Sequence, residues 1–166
     1  MTARTATPSL ALSAGARKVE EAARGLGLDI EVREMAASTR TAEEAASACG
    51  CSLAQIVKSL VFIGTASGQP YLVLVSGANR LDEARAPSLF GEALRRATAN
   101  EVRALTGYAI GGVPPFGHAT RLRPFMDEDL FGFDTIWAAG GTPSSMFAIA
   151  PHALAAATGA SRVRVT

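Results

Sequence analysis

Ile56-Val57-Lys58-Ser59-Leu60-Val61-Phe62-Ile63 is an aliphatic, β-branched run interrupted by one lysine. After the turn Gly64 to Gln69 it is answered by Tyr71-Leu72-Val73-Leu74-Val75. Two such runs joined through glycines predict a hairpin of central strands. Side chains alternate faces along a strand, so Lys58 shares a face with Leu60 and Phe62. An ammonium in apolar company needs an anion, a route to water or a lowered pKa.

Outward from the hairpin, Ser13 is placed to cap a helix over Ala14 to Arg24, with Val19, Ala22, Ala23 and Leu26 on its apolar face and Gly25 and Gly27 ending it. Leu28 to Glu34 alternates Leu28, Ile30 and Val32 with Asp29, Glu31 and Arg33, as a half-buried strand does. Thr41-Ala42-Glu43-Glu44 is a capping box opening a helix that ends near Gly50, and Ser52 to Gln55 repeats the pattern just before the first strand. Further on come a helical stretch from Leu81, a polar-apolar segment from Leu94 to Thr98, and a short helix over Asn100 to Leu105 closed by Gly107. Strands are expected at Asp134 to Ala139 and Ser145 to Ala150, joined by Gly140-Gly141-Thr142-Pro143, followed by a helix from Pro151 and a last strand at Val163 to Val165. Helices interspersed with hairpins, with no internal repeat or linker, predict a mixed α/β (α+β) chain forming one domain over residues 1–166, with residues 1–12 as a flexible extension.

Composition narrows the function. The chain has 166 residues, 48% of them hydrophobic, enough for one buried core. Sixteen basic against 15 acidic residues give a net charge of +1, too little to draw a polyanion by a general field. Cys49 and Cys51, one residue apart, are too close for an unstrained bridge and too few for a four-ligand zinc site, which favours a reducing compartment. Met1 to Leu12 has no secretory pattern, and no segment approaches the roughly 20 apolar residues of a membrane span. The expectation is a cytoplasmic protein.

Two features stand out chemically. Of the 16 basic residues only Lys18 and Lys58 are lysines, so a lysine in this chain is unusual. Lys58 is open to two readings, a charge that blunts an edge strand or a perturbed functional ammonium. Gly111-Gly112-Val113-Pro114-Pro115-Phe116-Gly117 joins a bare half, which a ligand can approach closely, to a stiff half without amide donors. Such a loop can aim its remaining N–H groups at a carbonyl or oxyanion, or it can be a tight connection. His118 follows the loop and is a candidate substrate contact. The chain has no G-x-S-x-G elbow, no H-E-x-x-H, no phosphate-binding glycine loop, and no histidine pair with metal-ligand spacing.

The strand Val57-Lys58-Ser59-Leu60-Val61-Phe62, the G-x-x-x-P loop from Gly111 to Pro115 reached through Thr106-Gly107-Tyr108, and the later Gly140-Gly141 turn together resemble the YbaK-like aminoacyl-tRNA deacylases, a family that includes the editing domain of bacterial prolyl-tRNA synthetase. The resemblance runs from about Val19 to Leu154. It implies a mixed, partly closed β-sheet with flanking helices, and a trans-editing hydrolase that frees misacylated tRNA, tRNA-Pro or a related one, of its wrong amino acid. In that family the strand lysine matters for activity and the loop shapes the aminoacyl pocket. Carried over, these roles fall on Lys58, as the catalytic group, and on Gly111 with Pro115; Gly112, Val113, Pro114, Gly140, Gly141 and His118 complete the expected substrate-binding set. No metal and no cofactor is implied. The partner implied is the 3′ end of an aminoacyl-tRNA, with a synthetase or an elongation factor as a second candidate. One departure is clear: relatives often carry basic residues after the second turn glycine, where this chain has Thr142-Pro143. A non-catalytic binding module and a hydrolase of other small aminoacyl esters are the competing readings.

Overall fold

The computed structural model describes residues 12–166. Most of the expected extension therefore lies outside the described residues, and Leu12 packs against the core. Ser13 caps α1 (Ala14–Gly25) by accepting the Ala16 N–H at 3.1 Å, and Ala16, Val19 and Ala23 form its buried stripe. Leu26 leaves that stripe and is 43% exposed, because it is the C-cap residue. The expected strand at Leu28 to Glu34 shrinks to β1 (Arg33–Glu34). Its alternation is real as burial, with Val32 in the core, but the Val32 N–H is taken by the Glu20 carboxylate at 2.9 Å, so no ladder extends through it.

The Thr41 capping box opens α2 (Ala42–Cys49), which stops where Gly50 adopts a left-handed conformation. A 3₁₀ turn at Leu53–Gln55 leads into β2 (Val57–Gly64), which hairpins back as β3 (Pro70–Ser76) in antiparallel register. The helical stretch beyond Leu81 is a 3₁₀ turn at Glu83–Arg85 followed by α3 (Ala86–Phe90). The polar-apolar segment is β4 (Leu94–Arg96), and the Thr98 capping box opens α4 (Ala99–Thr106), closed by Gly107. Then comes a strand that sequence reading missed, β5 (Arg123–Asp127), followed by β6 (Ile136–Ala139), β7 (Ser145–Ile149), α5 (Pro151–Thr158) and β8 (Ser161–Val163). The last strand starts two residues earlier than expected, and Val165 is instead buried under the sheet.

Five strands form one sheet in the order β4-β2-β3-β5-β8, and three form another in the order β1-β7-β6. A single parallel bridge, Ile56 to Trp137, connects them. β3 has a strand on each side, and Tyr71 to Ser76 are all buried, which explains its unbroken apolar sequence. One face of the large sheet packs with α1, α5 and the 108–116 loop around Leu72, Leu74, Met126 and Phe147. The other face gathers Phe62, Tyr71, Phe90 and Phe125 under α3. A third cluster seats α2 on Ile56 and Met146.

The β2–β3 turn is locked from outside by Glu92. Its carboxylate accepts the N–H groups of Ala66 and Ser67, the Ser67 hydroxyl and the Tyr71 hydroxyl, at 2.6–3.0 Å. The Ser67 and Tyr71 hydroxyls do most to hold the carboxyl down at about 2. A depressed carboxyl contributes stability that is complete above the ordinary value of about 4.3 and lost as the pH falls from there toward 2. Glu92→Gln is therefore expected to lower the urea midpoint at pH 6, and the gap to wild type should narrow at pH 3. A gap independent of pH would contradict the lock.

Candidate active site

β2 satisfies its main chain unevenly. Gly77 donates to the Ile56 carbonyl and Ala97 to the Val61 carbonyl, so even-numbered groups turn toward β3 and odd-numbered groups turn away. On the far side, β4 pairs only with Phe62, Ile63 and Gly64, and the bridge to β6 touches only Ile56. Between these points no strand among the described residues faces Ser59, whose N–H and C=O point into the opening. The Ser59 hydroxyl is buried and has no hydrogen-bond partner among the described residues. Lys58 is thus on an interior strand, at the one stretch where that strand has an open edge.

The opening is the floor of a cavity of about 290 Å³. Val57, Val61, Val102 and Met146 give it an apolar lining, Thr39, Arg40, Thr41, Ala42 and Ala45 form one wall, and Ile110, Gly111 and Val113 form a second wall that meets the first at Arg40. Lys58 also lines a second cavity of about 480 Å³ with Glu43, Asn79, Arg80, Glu83 and Arg96. The half-buried ammonium stands at the junction and donates to the Asn79 carbonyl at 2.5 Å. Burial, and next the Arg80 charge, hold its pKa below the usual lysine value.

The other expected site residues separate into lining and support. Gly111 and Val113 reach the cavity, whereas Gly112, Pro114 and Pro115 are buried behind it. The Gly112 N–H is used on the Ala109 carbonyl and the prolines have none, so the amides left free in the wall are those of Gly111 and Val113. Gly111 has φ +97°, and the Arg40 side chain crosses it closely enough that a Cβ would meet Cγ at 2.8 Å. His118 is turned inward: its Nε2–H donates to the Pro114 carbonyl at 2.7 Å, and burial pushes its pKa down, favouring the neutral ring. Gly140 and Gly141 lie beneath both walls rather than in them. Gly141 packs on Gly15, Thr142 on Gly112, and the Pro143 carbonyl accepts the Thr39 N–H at 2.7 Å. The Thr39–Ala45 wall escaped sequence reading; the 55% exposure of Ile110 at the cavity is the kind of signal that structure adds.

Cys49 and Cys51 are both free and outside this cavity. Burial pushes the Cys49 thiol up to about 11 and raises that of Cys51, so neither is a thiolate at neutral pH. Among the described residues no helix is long and apolar enough to cross a membrane.

An apolar cavity with one ammonium and two amides without a protein acceptor in its wall suits a small apolar group attached to a polar, charged carrier. Residues 36–157 match the model of the aminoacyl-tRNA editing domain. The chain belongs to that family. Membership makes it an aminoacyl-tRNA deacylase, a hydrolase with the mixed α/β fold the resemblance implied. The editing domain is 36% identical over 124 residues to the uncharacterized protein YwhH of Bacillus subtilis, covering 75% of this chain and 78% of that one. It is 37% identical over 101 residues to a proline–tRNA ligase of Nitratidesulfovibrio vulgaris, covering 60% of this chain but 17% of the ligase. A crystal structure of a candidate trans-editing enzyme for prolyl tRNA synthetase superposes with a TM-score of 0.88 at 53% identity, covering 94% of this chain and 99% of the other.

The docking of the glycine loop on the 142 turn is testable. A Cβ on Gly112 would sit 2.8–2.9 Å from the Thr142 main chain, whereas one on Gly132 meets nothing within 4 Å. Gly112→Ala should displace the wall by a few tenths of an ångström or more and cost on the order of 100-fold in deacylation rate. Gly132→Ala should leave the rate unchanged.

Proposed function

We propose that this editing domain acts in trans, in the cytoplasm, on mischarged tRNA-Pro or a closely related tRNA, and hydrolyses the aminoacyl ester by direct attack of water. The observation that carries the reading is Lys58, placed where an apolar cavity of about 290 Å³ opens onto a polar one. The amino-acid side chain occupies the first cavity and the terminal nucleotide the second, which puts the ester between them beside the ammonium. The similarity to a candidate trans-editing enzyme and to part of a proline–tRNA ligase supports the choice of tRNA.

Aminoacyl esters are already activated, so a positioned water and a stabilised oxyanion suffice without a covalent nucleophile. The Gly111 and Val113 amides hold the ester oxygen as it gains charge, and the Lys58 ammonium pairs with the 3′-terminal phosphate and fixes the substrate. A ribose hydroxyl of the tRNA assists the water. Recognition is local, since a net charge of +1 supplies no general attraction to RNA. A synthetase or elongation factor that presents the charged tRNA is the partner this leaves room for.

The decisive experiment is a deacylation panel of tRNA-Pro charged with alanine, cysteine, serine, threonine or proline. Wild type should turn over one or more of the small cargoes and spare proline. Lys58→Ala should lose at least about 100-fold with an unchanged melting temperature, the scale expected when a group that fixes the substrate is removed. Activity that depends on the ammonium should also decline as the pH rises through its lowered pKa, sooner than an ordinary lysine would allow. Binding without turnover would indicate a sequestering module, and a fully active Lys58→Ala would remove Lys58 from the mechanism.

A further inference from the structure

Lys58 has an unusual attachment. No carboxylate lies within 4.0 Å of its ammonium among the described residues, and its one protein acceptor is the main-chain carbonyl of Asn79. That carbonyl belongs to a turn that is held at every point. Gly77 donates to the Ile56 carbonyl and Asn79 to the Ser76 carbonyl, while the Ser76 hydroxyl donates to the Ala54 carbonyl at 2.7 Å. The Asn79 side-chain amide donates to Asp127 at 2.9 Å and to Asp129 at 2.8 Å, which uses both of its hydrogens. Asp127 itself is 1% exposed and also accepts the Ser76 and Asp129 N–H groups, each at 3.0 Å.

We infer that Asn79 and Asp127 are positioning residues for the deacylation: the buried Asp127 carboxylate clamps the Asn79 side chain, and the clamped turn presents the carbonyl that fixes the Lys58 ammonium between the two cavities. The inference rests on the reading of Lys58 as the group that meets the substrate. A long lysine chain left to itself would extend to water, and holding it costs rotamer entropy that only a rigid acceptor recovers. The choice of acceptor matters as much as its rigidity. A carboxylate against Lys58 would cancel the charge that a phosphate or developing oxyanion must feel, whereas a neutral carbonyl holds the ammonium and leaves its charge and two of its three N–H bonds for the substrate. The negative charge needed to make the clamp strong is kept one residue away, on groups that neutral N–H donors satisfy.

The chain contains two lysines, Lys18 and Lys58, so selective ¹³Cε-lysine labelling gives two side-chain signals and reads the titration of Lys58 directly. The charged groups that act on Lys58 are Arg80, Glu43, Arg96 and Asp127, and none is altered in the main variants. Asn79→Ala removes the clamp; Asn79→Leu keeps the shape without an N–H donor and, like alanine, adds no charge beside Lys58. Each is compared with wild type by melting temperature, by lysine titration and by single-turnover and steady-state deacylation of mischarged tRNA. In whichever variant melts like wild type, Lys58 should titrate closer to an ordinary lysine as it escapes to solvent, with Lys18 unmoved, and kcat should fall about 10- to 100-fold with a smaller change in KM. An unmoved Lys58 titration overturns the inference whatever happens to the rate. If wild type itself deacylates nothing, the functional reading fails separately, and the titration still decides whether the clamp holds Lys58.

Discussion

Main-chain groups of an interior strand are ordinarily paired on both sides, and β2 finds ladder partners on one side only along the stretch that contains Lys58 and Ser59. β4 stops short, and β6 packs beside the strand but shares only one ladder bridge, at Ile56, so neither neighbour extends its ladder along Lys58 and Ser59. Extending either neighbour would complete the ladder and remove the cavity. The site is therefore built from an omission in the sheet rather than from a loop added to it, and the rigidity of the hairpin passes directly to the residues that line it. The Glu92 lock at the far end of that hairpin and the buried β3 behind it serve the same end.

The two walls of the cavity come from distant parts of the chain and share one foundation. Thr39, at the start of the α2 wall, hydrogen-bonds Pro143, and Gly112, in the glycine loop, lies against Thr142. Gly141 lets the same turn sit on Gly15 of α1. Small residues at these positions are demanded by close main-chain approach, which is a packing requirement with a functional result: the width of the cavity is set by how tightly both walls dock on the 140–143 turn. Thr142-Pro143 serve this role through their main chain, Pro143 by its carbonyl and Thr142 by its close contact with Gly112.

Much of the fold was legible because its signals are local. The β-branched runs at 56–63 and 71–75 and the caps at Ser13 and Thr41 were readable in a few residues each, whereas the Thr98 cap emerged only with the structure. β5 was not, because Arg123-Pro124-Phe125-Met126-Asp127 has a proline inside and charges at both ends, and is a strand only by virtue of parallel pairing with β3 and β8. The Leu28 to Val32 alternation gave the right faces and the wrong element, since a Glu20 carboxylate displaced the ladder. At the site, Lys58 and the Gly111 loop were visible as chemical oddities. Their division into lining and support was not, because whether an amide is free or a histidine turns inward depends on contacts such as Gly112 to Ala109 and His118 to Pro114 that no spacing encodes.

Lys58 also shows why a charge read from sequence as an edge device and one read as functional need not exclude each other. The ammonium does stand at an open strand edge, where a positive charge discourages another strand from pairing. The same openness gives it access to a ligand, and the same absence of a neighbouring strand leaves the Ser59 amide and carbonyl unsatisfied beside it. Excluding water from those groups without replacing it would cost of order 1–3 kcal/mol each. A substrate that brings its own donor and acceptor into the gap relieves that cost as it binds, and it does so only when its polar junction, rather than its side chain, lies over Ser59. On the function proposed above, the strand edge would impose register on the ester, within reach of both the ammonium and the loop amides, before any question of side-chain size arises.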